Sequence, residues 1–411
     1  MAQPSKDQKK ALQENGVRLP VPESVDIGPE VDPDRISGPD VTIYPGCRIY
    51  GADTCIAAGA KIGFEAPATV ENCRIGPDVS LKGGFFSGAV FLNGASCGSC
   101  SHVRGGTILE EGACLAHSVG IKQTILFPHV TLGSLINFCD CLMAGGTDAK
   151  NHSEVGSSYI HFNYTPRQDK ATASLIGDVP YGVMLDKPPV FLGGQGGLVG
   201  PCRLGYGVTV AAGTICRKDE TRSNRLIFGS SGQGGNIAYK PAAYSNVKRI
   251  LMNNLIYIGN LLALGQWYRH VRSRFISERY PGLLHEGLVT VLDKAVAERI
   301  RRLDDFIDNL GGKDKSALTA KKLEIREILG SYQGLEDICP REMRAERSRF
   351  LEGLQQDLQQ EANQLSPYLG TIKSLAPSVK NCGSRWLQTV VDQVVQAVLD
   401  VVPEYGEKKG S

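Results

Sequence analysis

Arg104 and Lys122 stand eighteen residues apart in HVRGGTILEEGACLAHSVGIK, a stretch whose apolar residues recur at a fixed interval. Two cations brought close together suit a phosphate or a carboxylate. Like charges about 5 Å apart cost roughly 1 to 3 kcal/mol at an effective dielectric near 20 to 80, and an anion between them removes that cost. The alternative is a solvated ladder in which Asp140 neutralises the pair. Five of the seven histidines, His102, His117, His129, His152 and His161, lie in or beside the same region. A positioned imidazole is the commonest general base. His152 and His161 flank the Asn163-Tyr164 step, so they are the candidate bases. No spacing among the His or Cys residues matches a metal site, and no metal is predicted.

The elements that must hold these residues follow from a period of six. Val103, Leu109, Leu115, Ile121, Phe127, Gly133 and Cys139 form one apolar or small series. It returns as Leu198, Leu204, Val210 and Cys216, and precedes as Ile43, Ile49 and Cys55, then Ile56 and Ile62 after a one-residue slip. Short strands and tight turns every six residues mark hexapeptide repeats, in which inward aliphatics fill a prism-shaped core. Three hexapeptides complete a coil, so residues eighteen apart stack at the interstrand spacing of roughly 4.8 Å. Arg104, Lys122 and Asp140 are thereby predicted to form one vertical row. LGGQGGLVG lies inside this frame and lacks the Gly-Lys-Ser/Thr ending of a nucleotide loop, so its glycines are assigned to tight corners or close backbone approach.

Four segments follow: a polar stretch over 1–24, the repeats over 25–228, a Gly-rich linker over 229–240 and a helical domain over 241–405. The last rests on helical periodicity, as in Leu251, Leu255, Ile258 and Leu262. It is expected to cap the end of the repeats and to bring subunits together. The segment Leu251 to Tyr268 is apolar, yet Asn253, Asn254, Asn260 and Gln266 interrupt it, which argues against a membrane span. With 45 Lys+Arg against 43 Asp+Glu, no global field points to nucleic acid or to an anionic membrane. The first residues have no apolar secretory core, so a cytoplasmic protein is expected, and the cysteines read as inert core thiols.

The segments HVRGGTILEEGACLAHSVGIKQTILFPHVTLGS, SSYIHFNYTPRQDKATASLIGD and FLGGQGGLVGPCRLGYGVTVAAGTICRKD resemble the acetyltransferase half of the bifunctional bacterial enzyme that makes UDP-N-acetylglucosamine. The resemblance implies a left-handed parallel β-helix, a homotrimer with sites between subunits, and acetyl-CoA or another acyl-CoA as co-substrate. It places Arg104 and Lys122 on the sugar phosphate and Asn163, Tyr164 and Lys170 at the sugar. Ala211 and Ala212 fall where the family's backbone contacts the pantetheine arm. Ser134 occupies the position of the family's catalytic histidine and Asn137 that of a tyrosine, while Glu154 and Ser157 replace an asparagine and a small residue. No arginine occurs over 226–236, where the family keeps one for the cofactor. The family's Gly-rich nucleotide loop has no counterpart in the first 24 residues, so uridyl transfer is not expected. Two readings remain open: acyl-CoA-dependent transfer to the amine of a phosphorylated or nucleotide-linked sugar, and a non-catalytic sugar-nucleotide binding or scaffold protein that lost its base at Ser134.

Overall fold

A computed structural model describes residues 6–36, 38–165, 168–229, 244, 246–338, 341, 344–360 and 367–406. Most of the expected linker, at 230–240, lies outside the described residues.

The six-residue frame builds a parallel β-helix with three faces. Face I contains Ser96–Cys97, Cys114–Leu115 and Thr131–Leu132. Face II contains Ser101–Val103 and Gly120–Ile121, and continues through bridges at Asn137 and Ile160 to Ile160–Phe162 and Gly197–Val199. Face III contains Thr107–Leu109, Ile125–Leu126 and Cys141–Met143. Each inward residue pairs with its counterpart on the next coil: Leu115 with Leu132 on face I, Val103 with Ile121 on face II, Leu109 with Leu126 on face III. These side chains are fully or almost fully buried.

One coil departs from the expected register. From Leu109 to Leu126 and from Leu115 to Leu132 the repeat is seventeen residues, not eighteen. The inward series therefore runs Ile121, Leu126, Leu132, Phe138, rather than through Phe127, Gly133 and Cys139. Arg104 still stacks on Lys122, because Val103 pairs with Ile121. Below Lys122, however, the column reaches Cys139, and the predicted place of Asp140 in it is corrected.

The helical domain lies along face III rather than over the end of the β-helix. The sequence explains the choice. Face III strands carry apolar residues on both sides, as in Val90-Phe91, Ile108-Leu109, Ile125-Leu126 and Leu142-Met143, so their outward row must also be covered. The outward row of face I is Ser80, Ser96, Cys114, Thr131 and Glu154, which water can solvate. The covering helices are α3 (Val247–His270) and α4 (Gly282–Asn309), with α5 (Gly312–Tyr332), α6 (Arg344–Gln360), α7 (Pro367–Ser374) and α8 (Pro377–Leu399) around them. Two earlier helices in the chain are α1 (Lys6–Glu14) and the short α2 (Val179–Gly182).

The asparagines that interrupt the apolar face of α3 serve this contact. Asn260 Oδ1 accepts from the Val179 amide at 2.8 Å, and Asn254 Nδ2 donates to the Ala171 carbonyl at 3.0 Å. Asn253 donates to Asp219, which also receives Arg249 at 3.0 Å. The first two satisfy buried backbone groups that packing alone would orphan, and the third a partly exposed carboxylate. No helix among the described residues is long and apolar enough to cross a membrane. Within the coils, Gly146–Asp148 pairs with Asn151–His152 as an antiparallel hairpin that leaves the β-helix, and Val179–Gly182 forms α2. Both lean toward the helices, through Lys373 at 3.9 Å from Asp148 and through Asn260.

Candidate functional site

Two corners of the β-helix flank face II, and most of the chemistry-bearing residues fall on them. At the corner leading to face III, exposed Arg104 sits one coil from half-buried Lys122. The Arg104 guanidinium lies 3.9 Å from Cys139 Sγ, and the Asp140 amide donates to the Lys122 carbonyl at 2.8 Å. The Asp140 carboxylate is buried and turned beneath the helices, where Arg299 of α4 meets it at 2.9 Å and Asn163 Nδ2 donates to it at 2.6 Å. Neither Arg104 nor Lys122 has a carboxylate within ion-pair distance among the described residues.

The same corner collects other expected sugar contacts. Asn163 is half-buried and committed to Asp140. Asn137 is exposed on face II, its Oδ1 accepting from Cys139 Sγ at 3.3 Å. Tyr164 stands 68% exposed at the start of the loop that follows. Lys170 is half-buried with a left-handed backbone, next to buried Asp169, which accepts from Tyr244 and Thr165.

Neither candidate base is at these corners. His161 is the inward residue of its coil, stacked between Phe138 and Leu198. Its exposure is 1%, with Nδ1 2.6 Å from the Cys139 carbonyl and Nε2 2.8 Å from Ser174 Oγ. Burial drives its pKa down to about 4, so it is a neutral core group that ties coils together. His152 ends the hairpin, with Nδ1 2.9 Å from the Ala149 carbonyl, beside His129 and Asp148 on the far side of the β-helix from face II. The structure thus separates both histidines from Arg104 and Lys122.

At the other corner, between faces I and II, the seventeen-residue coil sets His117 directly against Ser134. The Ser134 hydroxyl and His117 Nδ1 are 2.9 Å apart, and the Ser134 amide donates to Ser157 Oγ at 3.1 Å. The strand register carries this column on through Ser157 and Gly194 to Ala212. Successive coils repeat one turn here, each with a left-handed second residue: Ser118, Leu135, Ser158, Gln195 and Gly213. The coils approach tightly, and a Cβ on Gly193 would lie 2.4 Å from the Ala212 nitrogen. The glycines of LGGQGGLVG therefore make coil corners. Ala212 shares the Ser134 column, at its lower end with only small residues between, and Ala211 ends the neighbouring column of Gly133, Gly156 and Gly193.

The sequence reading missed the His117–Ser134 contact because it kept a strict period of six. A signal was available: after Ile121 the strict series meets Gly133 and Cys139, whereas a five-residue step gives Leu126, Leu132 and Phe138, all large. Among the described residues no three His, Cys, Asp or Glu side chains converge as a metal site.

No family model matches the chain. It is 30% identical over 206 residues to the bifunctional protein GlmU of Pelobacter propionicus, covering 50% of this chain and 39% of that protein. Identity is 30% over 180 residues with the bifunctional protein GlmU of Clavibacter sepedonicus, 44% and 32% of the two chains. It is 28% over 215 residues with that of Acidithiobacillus ferrooxidans, 52% and 42%. The repeat geometry defines the class of fold, a hexapeptide-repeat parallel β-helix. The particular resemblance is to the acetyltransferase half of the bifunctional protein GlmU, and the chain spans less than half the length of these relatives.

Proposed function

We propose that this protein binds a phosphorylated or nucleotide-linked amino sugar at the Arg104–Lys122 corner and transfers an acyl group to its amine from acyl-CoA. The carrying observation is the pair itself. The two cations stack one coil apart, and the neighbouring Asp140 is held by Arg299 and Asn163 rather than by them. An anion relieves their repulsion, and charge-assisted contacts to it are the strong kind. Asn137, Tyr164 and Lys170 surround the sugar in this reading. The column Ser134, Ser157, Gly194, Ala212 takes the pantetheine arm, since its small side chains leave room for a thin ligand against the backbone. A homotrimer that closes these corners with neighbouring subunits, and a cytoplasmic setting where acyl-CoA is at hand, belong to the same proposal.

The test is to incubate the protein with acetyl-CoA and glucosamine 1-phosphate and follow release of free thiol, with binding of UDP-N-acetylglucosamine measured in parallel. Thiol release that depends on the sugar supports transfer. Binding without release supports instead the non-catalytic sugar-nucleotide protein, the reading favoured by serine standing where the family keeps its base.

A further inference from the structure

We propose that Ser134 and His117 form a nucleophilic pair, in which Ser134 takes the acyl group and holds it as an ester. The inference deepens the transfer reading and rests on it for the acyl donor. It does not depend on the identity of the sugar.

A serine hydroxyl is a weak nucleophile at its own pKa and is activated by a base within hydrogen-bond reach. The 2.9 Å contact between Ser134 Oγ and His117 Nδ1 has that geometry. With the ring proton on Nε2, Nδ1 accepts the hydroxyl proton. His117 is exposed and Ser134 half-exposed, so an incoming acyl donor can reach both, unlike the buried His161–Ser174 pair. Ser134 is further fixed from below, its amide bound to Ser157 Oγ and its carbonyl accepting from the Ser158 amide at 2.8 Å. Leu135, next in the chain, holds a left-handed backbone at φ 61° and is 60% exposed. Such a conformation is uncommon for an aliphatic residue, and it continues the turn that the neighbouring coils repeat at Ser118 and Ser158.

The step balances as an acyl exchange. Ser134 Oγ attacks the thioester carbonyl, its proton passes to His117 Nδ1, the new C–O bond forms and the C–S bond breaks. The imidazolium then protonates the departing thiolate. In the second half the acceptor amine attacks the Ser134 ester, the C–N bond forms, the C–O bond breaks, and the amine proton returns through His117 to Ser134 Oγ. The pair thus does without a base at the position of Ser134 itself, because the base stands one coil above it.

The experiment treats the full chain with p-nitrophenyl acetate and, separately, with acetyl-CoA, quenches in acid, and maps acetylation by peptide mass spectrometry. The expected result is one acetyl group on Ser134, absent in Ser134→Ala, and formed about 10² to 10⁴ times more slowly in His117→Ala. Both positions are on the surface of the corner, so circular dichroism and thermal melting of the two variants should match the parent. An unacetylated Ser134 with both reagents overturns the proposal. So does acetylation that proceeds equally fast in His117→Ala. Sugar-phosphate binding that persists while acetylation fails removes the covalent step and leaves the anion site standing; loss of binding in Arg104→Ala with acetylation intact separates the two in the other direction.

Discussion

Face III and the two corners beside face II carry similar kinds of charge but use them differently. Under the helices, Arg299 meets Asp140, Arg272 meets Glu111, and Tyr268 hydrogen bonds to Glu110 at 2.6 Å. Arg272 is also stacked on the rings of Tyr368 and Tyr280, at 3.7 and 4.6 Å from their centroids. All of these groups are buried, and the three polar contacts to Asp140, Glu111 and Glu110 each join the helices to the β-helix. At the open corners Arg104 and Lys122 have cations for neighbours, and Ser134 faces an imidazole. The difference teaches where the proposed site can reside: charge on the covered face is paired with the helices, whereas Arg104 and Lys122 have no ion-pair partner among the described residues, which is what the anion-binding proposal draws on. Asp140 marks the boundary, since it directly follows Cys139, which Arg104 touches.

The largest effect is expected from breaking that boundary pair. Arg299→Ala leaves the Asp140 carboxylate buried without its cation, and the fold should lose about 3 to 5 kcal/mol in urea unfolding. In a double-mutant cycle, Asp140→Leu with Arg299→Met should be less destabilising than the sum of the single changes, with a coupling of roughly 0.5 to 3 kcal/mol. Additive single effects would show that the two groups are held independently and that the covered face does not differ from the open one.

Next in size is a pH effect on the same face. Burial, and then the charge of Glu111, pushes the Glu110 carboxyl up to about 7. The folded state therefore favours protonated Glu110 more than the unfolded chain does. Its stabilising contribution is complete below the unfolded value near 4.5 and is lost as pH rises through about 7. The full shift corresponds to roughly 3 kcal/mol. Glu110→Gln should flatten the pH dependence of unfolding between pH 4 and 8 and raise stability at the alkaline end. An unchanged slope would mean that Glu110 titrates as it does in water.

The coil frame was legible because inward aliphatics are large and their period is short. The handover to helices was legible from the change of period after residue 225. Three things were not. The seventeen-residue coil hid the His117–Ser134 contact, since a single missing residue moves everything after Ile121 out of a strict six. His161 looked like a base beside Asn163-Tyr164, yet the register made it an inward residue, a place the period usually gives to aliphatics. The packing of the helices on face III was encoded in doubled apolar pairs such as Ile108-Leu109 and Ile125-Leu126, but a row of outward aliphatics does not name what will cover it.

The smallest effect on stability, and the sharpest on the comparison, is expected at the open corner. Arg104→Ala and Lys122→Ala remove cations that the strand register stacks one coil apart. Each should leave the unfolding free energy within about 0.5 kcal/mol, as is usual for surface substitutions, and the loss of repulsion favours the variant. Binding should respond in the opposite sense. Each charge-assisted contact to a phosphate is worth about 1.5 to 3 kcal/mol, so isothermal titration with UDP-N-acetylglucosamine should show roughly a tenfold to hundredfold weaker affinity. If instead Arg104→Ala destabilises the fold by as much as Arg299→Ala and binding is untouched, the open corner is structural in the same way as face III. The contrast on which the proposed site rests then disappears.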